Sequence, residues 1–178
     1  FSLAENEIWA EAGYEVASDQ LVLTGLVRQS ATSMNYSGLK LDESEAIIEI
    51  TGENFSIGFN KKTGALRSYL HEGQEQIIQP LLPNFSRPLT DNDRRAWKAH
   101  EKLEEWYSAE PKLQELKVQE LQNGLIEVNS VYHLIDGKAV LNINYLINGL
   151  GNIKVDYHLD PSPDLSDLPK VGMQCGIR

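Results

Sequence analysis

Leu125-Ile126-Glu127-Val128-Asn129-Ser130-Val131-Tyr132-His133-Leu134 is the stretch on which the fold turns. Val128, Ser130, Tyr132 and Leu134 occupy every second position against Asn129, Val131 and His133. A period of two sends successive side chains to opposite faces of an extended strand. One face then lies on a core and the other is at least half wet, the pattern of an antiparallel sheet covered on one side. The neighbouring runs repeat the reading. Leu116 to Leu121, Ala139 to Ile147 and Ile153 to Leu159 are of strand length, and Gln122-Asn123-Gly124, Asp136-Gly137 and Gly149-Leu150-Gly151-Asn152 supply the turns between them.

Upstream, Ala46 to Ile50, Phe55 to Phe59 and Ala65 to Leu70 are short apolar-rich runs divided by Gly52-Glu53-Asn54 and Lys61-Lys62-Thr63-Gly64. These read as further strands and tight turns, so the expected class is all-β, an antiparallel β-sandwich. Only Arg94 to Tyr107 breaks the period, with Trp97, Leu103 and Trp106 spaced by alanine and charged residues that favour one short helix. Its aromatics are of the kind that fasten a helix to a sheet. A boundary is expected near Gly38 to Ser44, where the charged step Asp42-Glu43-Ser44-Glu45 precedes the resumption of strands.

The 178 residues suit one domain or a domain and a part, and an apolar fraction of 41% is adequate for a core. A net charge of −10 argues against nucleic acid or an anionic membrane as partner, since both call for a basic surface. Cys175 is the single cysteine, so no internal disulfide, thiolate zinc site or CxxC motif is available, and a buried strand cysteine is the expectation. Phe1 to Glu7 has neither a basic start nor a sustained apolar run, so neither a signal peptide nor an anchor is read there. The sequence assigns no compartment.

One segment carries no period at all. Asn84-Phe85-Ser86-Arg87-Pro88-Leu89-Thr90-Asp91-Asn92-Asp93-Arg94 crowds carboxylates, guanidinia, an amide and a proline together. Its polar side chains can fold onto their own backbone in Asx-type turns, Pro88 fixes one torsion, and the arginines can fork onto the aspartates. The segment therefore reads as a loop of defined shape. Because it directly precedes the expected helix, Asp91, Asn92 or Asp93 can cap that helix, contact a ligand, or do both.

The segment resembles the Arg-Pro-x-x-Asp-Asn-Asp signature of the small-chain domain of β-galactosidases in glycoside hydrolase family 2. Three further stretches resemble that family in the family's order. Trp9-Ala10-Glu11-Ala12-Gly13 with Val16-Ala17-Ser18-Asp19-Gln20 is similar to the end of the immunoglobulin-like domain that follows the catalytic barrel. Phe55 to Asn60 with Thr63-Gly64-Ala65-Leu66 resembles the hairpin that opens the small-chain domain, and Leu168-Pro169-Lys170-Val171-Gly172-Met173 resembles a strand deeper within it.

The resemblance implies residues 1–43 as the tail of an immunoglobulin-like sandwich and residues 44–178 as the N-terminal part of a small-chain domain, itself part of a large galactose-mutarotase-like supersandwich. It implies a retaining hydrolase of β-galactosides whose two catalytic glutamates lie in a barrel domain that no segment here resembles. No catalytic residue is assigned, and the Mg and Na ions common in that family are bound by other domains. The partners implied are the barrel of the same protein, which this lobe would help to form into a substrate pocket, and a β-galactoside; homo-oligomers are common in the family. By position, Arg87, Asp91, Asn92, Asp93 and Arg94 carry over as a loop close to substrate. Arg95 stands where a glycine commonly follows, a departure that alters how the loop bends.

Two other classes stay open: a carbohydrate-binding module, which needs an aromatic or polar sugar platform, and a mutarotase-like epimerase, which needs His133 or His158 beside a strand carboxylate. His71, His100, His133 and His158 lack metal-ligand spacing. Glu104 and Glu105, adjacent on a helix, point about 100° apart and read as a solvated face.

Overall fold

Strands with one apolar face bury it by stacking in pairs of sheets. The computed structural model describes residues 1–18 and 38–178 and divides into two compact units, Phe1–Ser30 and Ala31–Arg178, each treated by itself. In the first, Ser2 and Glu15 form an antiparallel bridge, Leu3 N–H donates to the Tyr14 carbonyl at 3.0 Å, and Trp9 meets Tyr14 edge-on at 5.6 Å. Asp19 and Gln20, the end of the Val16 motif, lie outside the described residues.

The second unit is an all-β sandwich. Its strands are β1 (Lys40–Glu43), β2 (Ile47–Thr51), β3 (Phe55–Asn60), β4 (Leu66–His71), β5 (Gln74–Glu75), β6 (Ile77–Pro83), β7 (Lys112–Glu120), β8 (Ile126–Leu134), β9 (Ala139–Ile147), β10 (Ile153–Pro161) and β11 (Met173–Ile177). One sheet runs β1-β2-β3-β4-β6-β11 with β5 on β4, the other β10-β9-β8-β7, and every pairing is antiparallel. The charged step at Asp42 to Glu45 therefore sits in the hairpin joining β1 to β2.

Along β8 and β9 burial alternates residue by residue. Ile126, Val128, Ser130, Tyr132 and Leu134 face inward with Ala139, Leu141, Ile143, Tyr145 and Ile147, against Ile48, Ile50, Ile57 and Phe59 of the other sheet. Each fully buried side chain of the larger aliphatic and aromatic kind contributes roughly 1.5–3 kcal/mol. Phe59 meets Tyr145 across the sheets edge-on, with centroids 5.0 Å apart, a geometry favoured by the ring quadrupoles. On the inner face of β8 the buried Ser130 hydroxyl is satisfied by donating to the Gly64 carbonyl at 3.0 Å.

The expected single helix is broken into three pieces: a π-helical turn Asn92–Trp97, α1 (Ala99–Lys102) and α2 (Glu104–Tyr107). Lys98 takes a left-handed conformation (φ 55°, ψ 43°), which no continuous right-handed helix accommodates. Ala99, Leu103 and Trp106, spaced i, i+4 and i+7 beyond that break, share one face and are buried. Cys175, expected to be buried, is exposed on β11, because this strand lies at the edge of its sheet with register shifts at Gln174 to Ile177.

Candidate functional site

The loop between β6 and α1 is held at three points. At its start, Asn84 N–H donates to the Gly172 carbonyl at 2.8 Å, and its side-chain amide donates to Gln174 of β11. The Asn84 carbonyl Oδ1 accepts the Ser86 N–H at 2.8 Å, the expected Asx turn. Next, Phe85 is buried against Trp106, with ring centroids 5.3 Å apart. Trp106 is itself pinned by donating Nε1–H to the Ser166 carbonyl at 3.0 Å, while Glu105 accepts the Ser166 N–H at 2.8 Å. Glu105 is thus half-buried and held below the usual carboxylate range by the Ser166 donors; Glu104 alone fits the solvated face expected of both.

The third point is ionic. Arg87 forks onto Asp93, Nη1 to Oδ2 at 2.7 Å and Nη2 to Oδ1 at 2.9 Å, the planar two-bond match that guanidinium and carboxylate make best. Thr90 closes the same carboxylate from the other side: its N–H and its hydroxyl each donate to Asp93 Oδ2 at 2.9 Å, and its Oγ1 accepts the Asp93 N–H at 3.3 Å. This reciprocal Thr-x-x-Asp arrangement is a capping box. Capping thus comes from Thr90 and Asp93, while Asp91 takes helical torsions with no side-chain cap bond. The Arg87 guanidinium, then the Thr90 amide and hydroxyl, hold Asp93 far below the ordinary carboxylate range, and Asp93 raises Arg87 in return.

A lowered folded-state pKa gives stability that is complete above the unfolded carboxylate value, about 3.9, and is withdrawn as pH falls through the lowered one. Asp93→Asn is therefore expected to be less stable than the parent chain at pH 7, with the gap closing as pH drops below about 4. Urea midpoints at pH 7, 4 and 3 check this; a gap that stays constant would mean that the carboxylate's charge is not what the loop uses.

Of the five residues singled out by sequence, the structure brings Arg87 and Asp93 together. Asp91, Asn92 and Arg94 are exposed on the turn beyond them, and their side chains make no hydrogen bond or ion pair to the described residues. Arg95 is exposed beside them, and Trp97, 39% exposed, has Lys102 Nζ 5.9 Å from its ring centroid. The loop thus presents one carboxylate (Asp91), one amide (Asn92) and two guanidinium groups (Arg94 and Arg95) beside the Arg87–Asp93 fork. Sequence reasoning did not single out Thr90, Asn84 or Phe85 as the residues that fix this base; the Thr-x-x-Asp spacing is the signal that finds Thr90.

Among the described residues, neither His133 nor His158 has a carboxylate within ion-pair distance; the one histidine pair is His100 with Glu101 at 3.6 Å on an exposed turn. No three His, Cys, Asp or Glu side chains among them converge on a metal-sized site.

An antiparallel two-sheet sandwich carrying one locked polar loop defines the molecule as a β-sandwich lobe. Residues 51–178 match the family described as beta galactosidase small chain, and the chain belongs to that family. It is 31% identical over 173 residues to the beta-galactosidase of Priestia megaterium, covering 96% of this chain and 16% of the relative. It is 31% identical over 177 residues to the beta-galactosidase of Halalkalibacterium halodurans, covering 97% and 17%. With that of Streptococcus thermophilus, identity is 27% over 178 residues, covering 98% and 17%. The chain thus spans 16 to 17% of the length of these relatives.

Proposed function

We propose that this chain is a supporting lobe of a β-galactosidase of glycoside hydrolase family 2, with the loop from Arg87 to Arg94 shaping the substrate pocket beside a barrel domain of the same protein. Residues 1–43 would end an immunoglobulin-like domain and residues 44–178 open the small-chain domain. The observation that carries the reading is the Arg87–Asp93 fork within the signature. Two charges cancel each other inside the loop and leave Asp91, Asn92 and Arg94 projecting from it. Positioning of this kind is a large lever on rate, because misplacing a group by about 1 Å can cost roughly 100-fold.

In this reading the lobe supplies no acid, base or nucleophile; those are carboxyls of the barrel. Its contribution is shape, and polar groups that can meet sugar hydroxyls or the barrel rim.

The test mixes the chain with a barrel-containing fragment of its parent protein and follows hydrolysis of a chromogenic β-galactoside, each piece alone serving as control. Activity is expected only in the mixture. Arg87→Gln, which breaks the fork but leaves Asp91, Asn92 and Arg94 in place, is expected to lower kcat/KM of the mixture by about 10- to 100-fold. Full activity from the barrel fragment alone, or an Arg87→Gln mixture equal to the parent, would remove the pocket role.

A further inference from the structure

The outer face of the four-stranded sheet is built unlike an ordinary solvated face. Register places its side chains in cross-strand rows: Gln119, Glu127, Leu146 and Lys154; then Lys117, Asn129, Asn144 and Asp156; then Glu115, Val131, Asn142 and His158. At the centre, Glu127, Asn129, Asn142 and Asn144 are half-buried against one another. Asn144 Nδ2 donates to Glu127 Oε1 at 2.8 Å, Gln119 Nε2 donates to the other oxygen of Glu127, and Asn129 Nδ2 donates to Asn142 Oδ1 at 2.7 Å.

The grid is not closed on itself. A primary amide has two N–H donors and a carbonyl acceptor. Among the described residues, these bonds leave both Asn142 donors, one donor on each of Gln119, Asn129 and Asn144, and the carbonyl oxygens of Gln119, Asn129 and Asn144 without partners; that of Asn144 is covered by its neighbours. Spare donors and acceptors thus lie side by side on this face.

At the centre the Glu127 carboxylate has both oxygens taken by the Gln119 and Asn144 amides, and the charges around it are paired with one another. Lys117 pairs with Glu115 at 2.7 Å, Lys154 with Asp156 at 2.8 Å, and Lys112 with Asp136 at 3.0 Å. The apolar members of the centre are Val131 and Leu146, and the rows carry no phenylalanine, tyrosine, tryptophan, methionine or arginine, the anchors that concentrate protein–protein binding energy. A neutral partner whose every group both donates and accepts hydrogen bonds fits such a surface, and sugar hydroxyls are that chemistry.

From this we infer that the outer face of β7 to β10, centred on Asn129, Asn142 and Asn144, binds neutral saccharides at a site separate from the Arg87 to Arg94 loop. Without an aromatic platform the affinity is in the millimolar range, the level expected of a few exposed hydrogen bonds. The site needs no barrel domain and does not rest on the pocket role.

The test is a titration of the isotope-labelled chain with lactose, followed through backbone and side-chain amide resonances, with glucuronate and glucosamine as charged comparisons. Saturable shifts are expected at Gln119, Asn129, Asn142 and Asn144 with lactose and weaker ones with either charged sugar. Asn142→Leu is expected to weaken binding at least about tenfold, a change of 1.4 kcal/mol, while the β8 and β9 core resonances stay in place. No saturable shift on this face would overturn the inference. So would shifts confined to residues 84–97, which would instead favour the pocket reading, or shifts that track protein concentration rather than sugar, which would make the face a contact between copies. The wild-type titration decides the matter even if the variant does not fold.

Discussion

Trp106→Ala is expected to lower stability by about 3–5 kcal/mol, the largest loss of any single side chain considered. Three attachments go at once. Trp106 is 1% exposed, so its removal leaves a large cavity; Phe85 loses the ring against which the loop is folded; and the Ser166 carbonyl loses its donor. The urea midpoint reads the loss, with an unchanged slope showing that the same surface unfolds. Trp97→Ala is the comparison. That ring is 39% exposed and touched by Lys102, so its loss is expected to cost within about 0.5 kcal/mol. Equal midpoints for the two variants would show that Trp106 does not anchor the loop.

Gly64→Val comes next, at about 2–5 kcal/mol. Gly64 closes the turn between β3 and β4 with φ +69°, and its N–H donates to the Asn60 carbonyl at 2.7 Å. A side chain there meets a left-handed backbone, costing about 1–2 kcal/mol. It also meets Leu113 Cδ1 and Tyr132 Oη, both 2.6 Å from where its Cβ would stand; overpacking of that kind adds about 1–3 kcal/mol. Tyr132 is 2% exposed and has little room to retreat. Gly73→Ala separates the two costs, because Gly73 has φ +76° with nothing within 4 Å of an added Cβ. If Gly64→Ala costs no more than Gly73→Ala, crowding between the sheets is not part of the penalty.

Much of this architecture was legible because period-two alternation is a local signal. The runs read at Ala46 to Ile50, Phe55 to Phe59, Ala65 to Leu70, Leu125 to Leu134, Ala139 to Ile147 and Ile153 to Leu159 correspond to β2, β3, β4, β8, β9 and β10 within a residue or two. The unread strands have physical excuses. β6 carries Pro80 in its interior and pairs with β4 only at Leu66 and Leu81, and proline argues against a strand on sequence grounds. β1 is four residues with three charges, a short guarded edge. The break in the helix is not legible, because nothing in Lys98 advertises a left-handed backbone.

In the candidate site, the fork of arginine onto aspartate was legible as chemistry, but which pair would form was not. Arg87 and Arg94 offered the same group, and Asp91 and Asp93 the same acceptor. The choice falls to Thr90, whose amide and hydroxyl fix Asp93 three residues on. The amide grid of the outer sheet face was invisible in sequence, since it depends on register between strands rather than on spacing within one.

The way the loop is tied also sets an order of events in folding. The sheet from β7 to β10 joins consecutive strands, each across a short turn, whereas the link from Asn84 to Gln174 closes a span of ninety residues. Loop closure over such a span costs entropy before any contact rewards it, so low-separation pairings lead and distant ones follow. As the chain leaves the ribosome, the meander can assemble while the signature loop still lacks its outer tether. That tether is made only after β11 has been synthesised, whereas the Arg87–Asp93 fork and the Thr90 cap, six residues or fewer apart, need nothing downstream of the loop.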